Sequence, residues 1–331
     1  MLTVLIATRN RADLLARTLD AYERLERPTG GHRVLVVDDG STDGTLAVLR
    51  GREGRLPLAC VASPHVTANA ARNLALVRIE GDVVVLSDDD TIPRPDWLVR
   101  MRAAADLHPE ADVVVGTVRP RFEVEPPAWV LAGVRRGPAF GWVERDADGY
   151  VDPTEGIGAS VAIRRSHFDS GLRFDESIGP NGTADYAMGS ETELLLRLER
   201  AGSRAWYARD AIVEHHVSAA HVETPALLLR AFRYGRGRWR LGTSRLAAAR
   251  FRVGGVPLAI RFDLLARGRT YRRALRRRDQ ARALKAAWRI AYLAGHVAEI
   301  RRARGRAPGL GALAARIPAP IRDAISPGFV G

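Results

Sequence analysis

Two residue types are almost missing: Cys60 is the only cysteine and Lys285 the only lysine of the chain. One cysteine excludes an intramolecular disulfide and suits a reducing compartment. With no lysine before position 285, no lysine-bearing, glycine-rich phosphate loop stands early in the sequence, and "ATRNRADLL" (7–15) does not supply one. That counts against nucleotidyl transfer onto a sugar phosphate, which wants such a loop. Nowhere do 18 uncharged apolar residues follow one another, so no membrane-spanning helix is expected. The opening "MLTVLIATRN" lacks a basic n-region and has only a short apolar run, so no secretory signal is expected. There is no internal repeat.

Hydrophobic residues form 46% of the 331, enough for one large domain or two moderate ones with a real core. Charge is unevenly placed. Residues 230–310 hold 23 Lys+Arg against three acids (Asp263, Asp279 and Glu299), a net of +20. The whole chain is +13, which leaves −7 for the rest: a mildly acidic body with a strongly basic tail.

Residues 2–8, "LTVLIAT", are apolar and β-branched and predict a buried strand. In "RADLLARTLDAYERL" (11–25), Leu14, Leu15, Thr18, Leu19, Tyr22 and Leu25 recur at helical spacing, with Asp13 near the start. A second strand, Val34 to Val37, ends on Asp38-Asp39 and a turn. A short helix then runs to Gly51, "NAARNLALVRIEG" is amphipathic helix, and "DVVVLSDDD" is the next strand. Strands alternating with helices imply an α/β domain with a mostly parallel sheet, whose ligands bind beyond the carboxyl ends of its strands. Further on, "ADVVVGTVRPRF" and "GASVAIRRSHF" read as strands, and Pro120 to Tyr150 as a long irregular excursion. "GSETELLLRLERAG" reads as a helix, and "RAWYARDAIVEHHV" as a strand ending in two histidines. Thr224-Pro225 offers an N-cap and first-turn proline, after which Arg/Ala/Leu-rich helix extends to about 304. The last 25 residues, with several Gly and Pro, are expected to be loose.

Asp88, Asp89 and Asp90 follow an apolar strand directly. Carboxylates one residue apart can hold a hard divalent cation such as Mg²⁺ or Mn²⁺ together with substrate phosphates; the plainer alternative is a solvated turn. Asp38-Asp39 could accept hydrogen bonds from a base or ribose, or simply form a turn. Arg72 could reach a carboxylate or phosphate, although helix arginines are usually solvated. His215 or His216 could complete a metal site. Glu191 and Glu193 open a helix, where acids favour the dipole by about 0.3–1 kcal/mol each, or one of them serves as a general base.

Taken in order, "VLIATRNR", "VVDDGSTDGT", "AARN", "LSDDD.IP.PDWL", "GAS.AIRRS.F", "FDE", "GSETELLLRL" and "V.HH" resemble the family 2 glycosyltransferases over residues 2–235. The resemblance implies an inverting enzyme of hexosyltransferase type with a GT-A (Rossmann-like) α/β fold. It implies that Asp88 and Asp90 bind Mn²⁺ or Mg²⁺ on the donor diphosphate, with Asp89 adjoining and His215 close to the metal. Thr8 and Arg9 would line the nucleotide pocket, Asp38 and Asp39 contact the base or ribose, and Arg72 lie near the nucleotide. Where the family commonly has Glu-Asp, this chain has Ser190-Glu191. Arg197, six residues beyond Glu191, keeps the family's register and favours Glu191 as the base, with Glu193 second and Asp185 next.

The expected domains are a catalytic 1–228, with a nucleotide half of about 1–118 and an acceptor half of about 119–228, and a helical, basic 229–331. Acceptor contacts are expected from 120–158 and 176–190. The partners expected are a nucleotide-diphosphate sugar and a lipid-linked or cell-surface glycan acceptor, as in cell-envelope polysaccharide synthesis. A catalytically impaired sugar-nucleotide binder, or a sugar-phosphate nucleotidyltransferase, is the alternative function. Trp239, Trp288, Tyr271 and Tyr292 among the tail arginines suit an anionic membrane surface, which implies a cytoplasmic protein peripheral at the inner face of the cell membrane. Nucleic acid is the rival partner for such a stripe, but no nucleic-acid-binding motif accompanies it.

Overall fold

The computed structural model describes residues 1–305 and 317–325. In chain order the elements are β1 (Leu2–Thr8), α1 (Ala12–Tyr22), β2 (His32–Asp38), α2 (Thr45–Arg50), β3 (Leu58–Ala62), α3 (Ala68–Ala75), β4 (Val83–Asp88), β5 (Thr91–Pro93) and α4 (Trp97–Leu107). Then come β6 (Val113–Phe122), α5 (Ala128–Gly133), α6 (Arg136–Phe140), β7 (Gly149–Val151), β8 (Val161–Arg164), α7 (Arg165–Asp169), α8 (Ser190–Arg200) and β9 (Ala205–Val217). The remainder is α9 (Thr224–Arg240), a hairpin of β10 (Arg252–Val253) and β11 (Val256–Pro257), α10 (Leu258–Arg276), α11 (Gln280–Arg302) and α12 (Ala319–Ile325).

The chain divides into two compact units. The first comprises Met1–Arg121, Gly141–Ser177 and Ser190–His216. Its nine-stranded sheet runs β3-β2-β1-β4-β8-β6-β9-β5, with β7 on β9. The expected parallel pairing holds for β3-β2-β1-β4, whereas β8 lies antiparallel to both β4 and β6, making the sheet mixed. The apolar runs of β1, β2 and β4 are continuous because both sheet faces are covered. Leu2, Val4, Ile6, Val34, Val36, Val83 and Val85 enter one core. Their neighbours Leu5, Leu35, Val37, Val84 and Leu86 enter the other. Buried Thr3 is satisfied by Glu80, whose carbonyl accepts from its hydroxyl and whose N–H donates to it. Thr67 caps α3 by accepting from the Ala70 N–H.

The second unit comprises Phe122–Phe140, Ile178–Gly189 and Val217–Gly331. Its core gathers Leu227, Phe232, Ile260, Leu264, Leu284, Trp288, Leu293 and Val297 from α9, α10 and α11. Gly235 and Gly295 bring α9 and α11 together: a Cβ on the first would strike the Tyr292 carbonyl, and one on the second the Phe232 carbonyl.

Several expectations need correction. The excursion from 120 to 150 contains α5, α6 and part of β7, because Val130, Ala139 and Phe140 supply apolar faces to the second core. Thr224 is not an N-cap but the first helical residue; Glu223 holds the cap position, with no side-chain bond. The tail is not one continuous helix, because Gly254 and Gly255, both at positive φ, turn a hairpin between α9 and α10. Within the supposedly loose last 25 residues, Ala319–Ile325 is helical and buries Ile321 and Ile325; the rest of that expectation lies outside the described residues, apart from Ile317, which is buried. Trp288 is buried, and Trp239, Tyr271 and Tyr292 pack against the second core, so these aromatics face inward. Among the described residues, no helix is long and apolar enough to cross a membrane.

Candidate active site

The site lies within the first unit, at the carboxyl ends of its parallel strands. Register places Thr8 beside Asp38 and Ala7 beside Asp88, so β1 carries the two acidic strand ends on its flanks. Antiparallel pairing of β5 with β9 sets Thr91 opposite His215. The His216 N–H donates to the Asp90 carbonyl at 2.9 Å, fixing the histidine strand against the acidic turn.

Each of the three consecutive aspartates has a different environment. Asp89 turns inward, accepting from Thr8 Oγ1 at 2.7 Å and Arg11 Nη1 at 2.5 Å. Its carbonyl accepts from Thr18 at 2.9 Å. Burial raises the Asp89 pKa, with Arg11 opposing the rise. Asp90 accepts from Arg11 at 3.0 Å through Oδ2, while its buried Oδ1 accepts no hydrogen bond among the described residues and lies 3.4 Å from His215 Nε2. Asp88 meets Arg72 Nη2 at 3.4 Å. Burial, with Asp90 and Glu191 nearby, pushes the Asp88 carboxyl up to about 7 despite Arg72.

Asp88, Asp90 and His215 each present one ligand atom, and these atoms lie within 4.8 Å of one another. Two carboxylates and one imidazole, with an orphaned buried carboxylate oxygen among them, fit a hard divalent cation. Arg72, itself buried, joins this cluster to α8: its Nη1 lies 3.4 Å from Glu191 Oε1 and donates to Asn69 at 3.1 Å. Room for Glu191 exists because position 158 is glycine; a Cβ there would stand 2.7 Å from the Glu191 carboxyl carbon. Glu193 is engaged elsewhere, accepting two guanidinium bonds from Arg197, each at 2.8 Å. Asp185 belongs to the second unit, where Arg236 donates to its carboxylate and its carbonyl.

On the other flank of β1, Asp39 accepts from Ser63 Oγ at 2.8 Å and the Val66 N–H at 2.9 Å. Asp38 is buried, and its Oδ1 accepts no hydrogen bond among the described residues. Arg9 is exposed. The structure therefore collects Asp88, Asp90, His215, Arg72 and Glu191, keeps Asp38 and Asp39 on a neighbouring strand end, and commits Thr8 and Asp89 to each other. Arg11 was missed by sequence reasoning, although it stands in the same "ATRNR" text as Arg9. Asn73 was also passed over: it accepts from the Phe174 N–H at 2.9 Å and donates to the Phe174 carbonyl at 3.0 Å, locking "FDE" to the Arg72 helix.

The model of the family described as "Glycosyl transferase family 2" matches residues 3–172, just over half of the chain. The chain belongs to that family. Among curated family relatives, a glucosyl-dolichyl phosphate glucuronosyltransferase of Haloferax volcanii is 27% identical over 161 residues, 47% of this chain and 49% of that protein. A validoxylamine A glucosyltransferase of Streptomyces hygroscopicus subsp. jinggangensis is 33% identical over 118 residues, 35% of this chain and 28% of that one. The chain thus spans half or less of these relatives' lengths. Among solved structures, the mannosyltransferase PcManGT from Pyrobaculum calidifontis, in complex with GDP-Man and Mn²⁺, aligns at TM-score 0.54 and 20% identity, covering 99% of this chain and 83% of that one. TarS 1–349 of S. aureus with UDP aligns at TM-score 0.54 and 17% identity, covering 92% of each. The fold is the GT-A fold.

Proposed function

We propose that this family 2 member is an inverting glycosyltransferase moving a sugar from a nucleotide-diphosphate donor to an acceptor hydroxyl. The observation that carries the reading is the convergence of Asp88, Asp90 and His215 on one point, with Arg72 tying Asp88 to Glu191. Asp88, Asp90 and His215 would hold Mn²⁺ or Mg²⁺, and such an ion supplies charge stabilisation to a departing diphosphate when bound. Asp38, whose Oδ1 accepts no hydrogen bond among the described residues, is suited to receive a hydrogen-bond donor of the nucleoside. Glu191, oriented by Arg72, takes the proton of the acceptor hydroxyl. The freed oxygen attacks the anomeric carbon from the face opposite the nucleotide, so one displacement inverts the configuration. Glu193 is a poorer base because Arg197 already occupies both its oxygens.

A lipid-linked or cell-surface acceptor is our reading for the second substrate; the dolichyl phosphate in one relative's name supports it. The basic second unit supports a peripheral position on an anionic membrane, at its cytoplasmic face. Titrating donor analogues with Mn²⁺ and with EDTA, in wild type and Asp90→Ala, tests the assignment. Metal should tighten binding in wild type and fail to do so in the variant. Metal-dependent binding without any transfer or donor hydrolysis would instead mark a binder.

A further inference from the structure

Cations of the second unit fall into two sets. Buried Glu299 pairs with Arg236, Arg240 and Arg302. Asp263 pairs with Arg267 and Arg289, and Asp279 caps α11 through the Arg282 N–H. The tail's three acids are thereby used internally. Arg269, Arg272, Arg273 and Arg276 of α10 are exposed, and no carboxylate pairs with them among the described residues.

At 3.6 residues per turn these four arginines share an arc of about 120° with Phe262, Leu265 and Ala266. The opposite side of α10 buries Ile260, Leu264, Gly268 and Ala274. Along its length the outer face is apolar first and cationic afterwards, with Phe262 66% and Leu265 37% exposed. The hairpin before it adds Phe251, 79% exposed, and Val253, 52% exposed. It is held against the start of α10 by the Leu258 N–H on the Phe251 carbonyl and by Arg261 on the Val253 carbonyl. Isolated apolar residues on a surface are ordinary, but a rimmed cluster marks an interaction surface. A nucleic-acid groove needs the arginines and has little use for four bare aliphatic and aromatic side chains. A bilayer uses both: apolar groups enter the headgroup–acyl boundary while guanidiniums remain at the phosphate level.

We propose that the outer face of α10, with Phe251 and Val253 of the hairpin, is the surface that docks on an anionic lipid bilayer. It rests on the peripheral-membrane reading above and narrows it from the whole basic tail to one helix face and one hairpin.

The test is cosedimentation of the full chain with phosphatidylcholine vesicles, with and without phosphatidylglycerol. Wild type is expected to bind only the anionic vesicles, and less as salt rises. Changing Arg269, Arg272, Arg273 and Arg276 to Gln should weaken binding several-hundred-fold, about fivefold per arginine. Phe251→Ser with Phe262→Ser should weaken it at least tenfold, leaving the salt dependence intact. A charge-matched control, with Gln at the exposed positions Arg17, Arg50, Arg78 and Arg200, should bind within about twofold to threefold of wild type. If wild type binds anionic vesicles but both α10 sets bind equally well, the membrane reading stands and this surface is wrong. If wild type ignores anionic vesicles, or binds duplex DNA or RNA in their place, both are wrong. A wild-type dimer that Phe262→Ser makes monomeric would assign the face to a second copy of the chain and overturn the proposal.

Discussion

Replacing Asp88 with Asn should make the metal-free protein more stable at pH 8, even though it removes a proposed metal ligand. Burial, with Asp90 and Glu191 close by, raises the Asp88 pKa from 3.8 to about 7. Because the folded-state value lies above the unfolded one, the group's favourable balance is complete below pH 3.8 and is lost as pH rises through about 7. A shift of that size corresponds to roughly 4 kcal/mol by linkage. The side chain is 32% exposed, and solvent screening brings the expected figure to about 1–2 kcal/mol. In a unit of 150–250 residues, 1 kcal/mol moves the melting temperature by about 2–4 °C. Asp88→Asn should therefore melt about 2–8 °C above wild type in EDTA at pH 8, and the gap should narrow as pH falls through about 7 and close only near pH 3.8, where Asp88 is protonated in the unfolded chain as well. Mn²⁺ should reverse the order, because a ligand at 100 times its dissociation constant stabilises wild type by about 2.7 kcal/mol, whereas the variant has lost a ligand. Thermal melts at both pH values, with EDTA and with Mn²⁺, read all of this. A lower metal-free melting temperature for the variant at pH 8, or an equal Mn²⁺ response in both proteins, would refute the reasoning.

Glu191→Gln should cut transfer by about 10²–10⁴-fold with donor affinity little changed, while Glu193→Gln should stay within a few-fold of wild type; steady-state transfer and donor titration separate the two. Gly158→Ala places a Cβ 2.7 Å from the Glu191 carboxyl carbon, so it should displace that side chain and lower kcat more than it weakens donor binding. In the second unit, burial and Arg289 hold the His296 imidazole down to about 3. Since its folded value lies below the unfolded 6.5, its stabilisation is present above pH 6.5 and is lost as pH falls toward about 3. His296→Gln, which can still reach Ser244, should flatten that acid loss as read by the fluorescence of Trp239 and Trp288. Arg236→Met leaves Glu299 and Asp185 short of a partner and should destabilise the second unit by about 3–5 kcal/mol, measured by denaturant unfolding.

The parallel half of the sheet was legible because β1, β2 and β4 are apolar on both faces, a pattern few surface segments share. β3 was not foreseen: it lies at the sheet's outer end, and its side chains are mostly half-buried or exposed. α4 is hard to see in the sequence because its first residues, Trp97 and Leu98, also close the acidic motif. The helices at 128–140 depend on a core made largely by α9 and α11, a long-range fact that local composition does not carry. Asp88, Asp90 and His215 were found through residue type and order. What sequence could not divide was the roles of the three adjacent aspartates. That division depends on Arg11, Thr8 and Thr18 arriving from β1 and α1 to take the middle one.

The same dependence explains why charge counts misjudged the tail. A net of +20 over residues 230–310 treats every arginine as available, yet Glu299 alone gathers three of them around a buried carboxylate. An ion cluster of that kind costs desolvation and yields little net stability, but it fixes where α9 and α11 meet. Arg236 extends the cluster to Asp185 and so ties the segment Ile178–Gly189 to α9. Arg233 reinforces that attachment, donating to the Ala184 carbonyl at 2.6 Å and lying over the Tyr186 ring at 4.6 Å. Arginine here does two separate jobs. On α9 it organises a loop from inside the fold, and at positions 269, 272, 273 and 276 of α10 it is exposed and pairs with no carboxylate among the described residues. Residue type is the same in both places, and only the positions of three acids tell them apart.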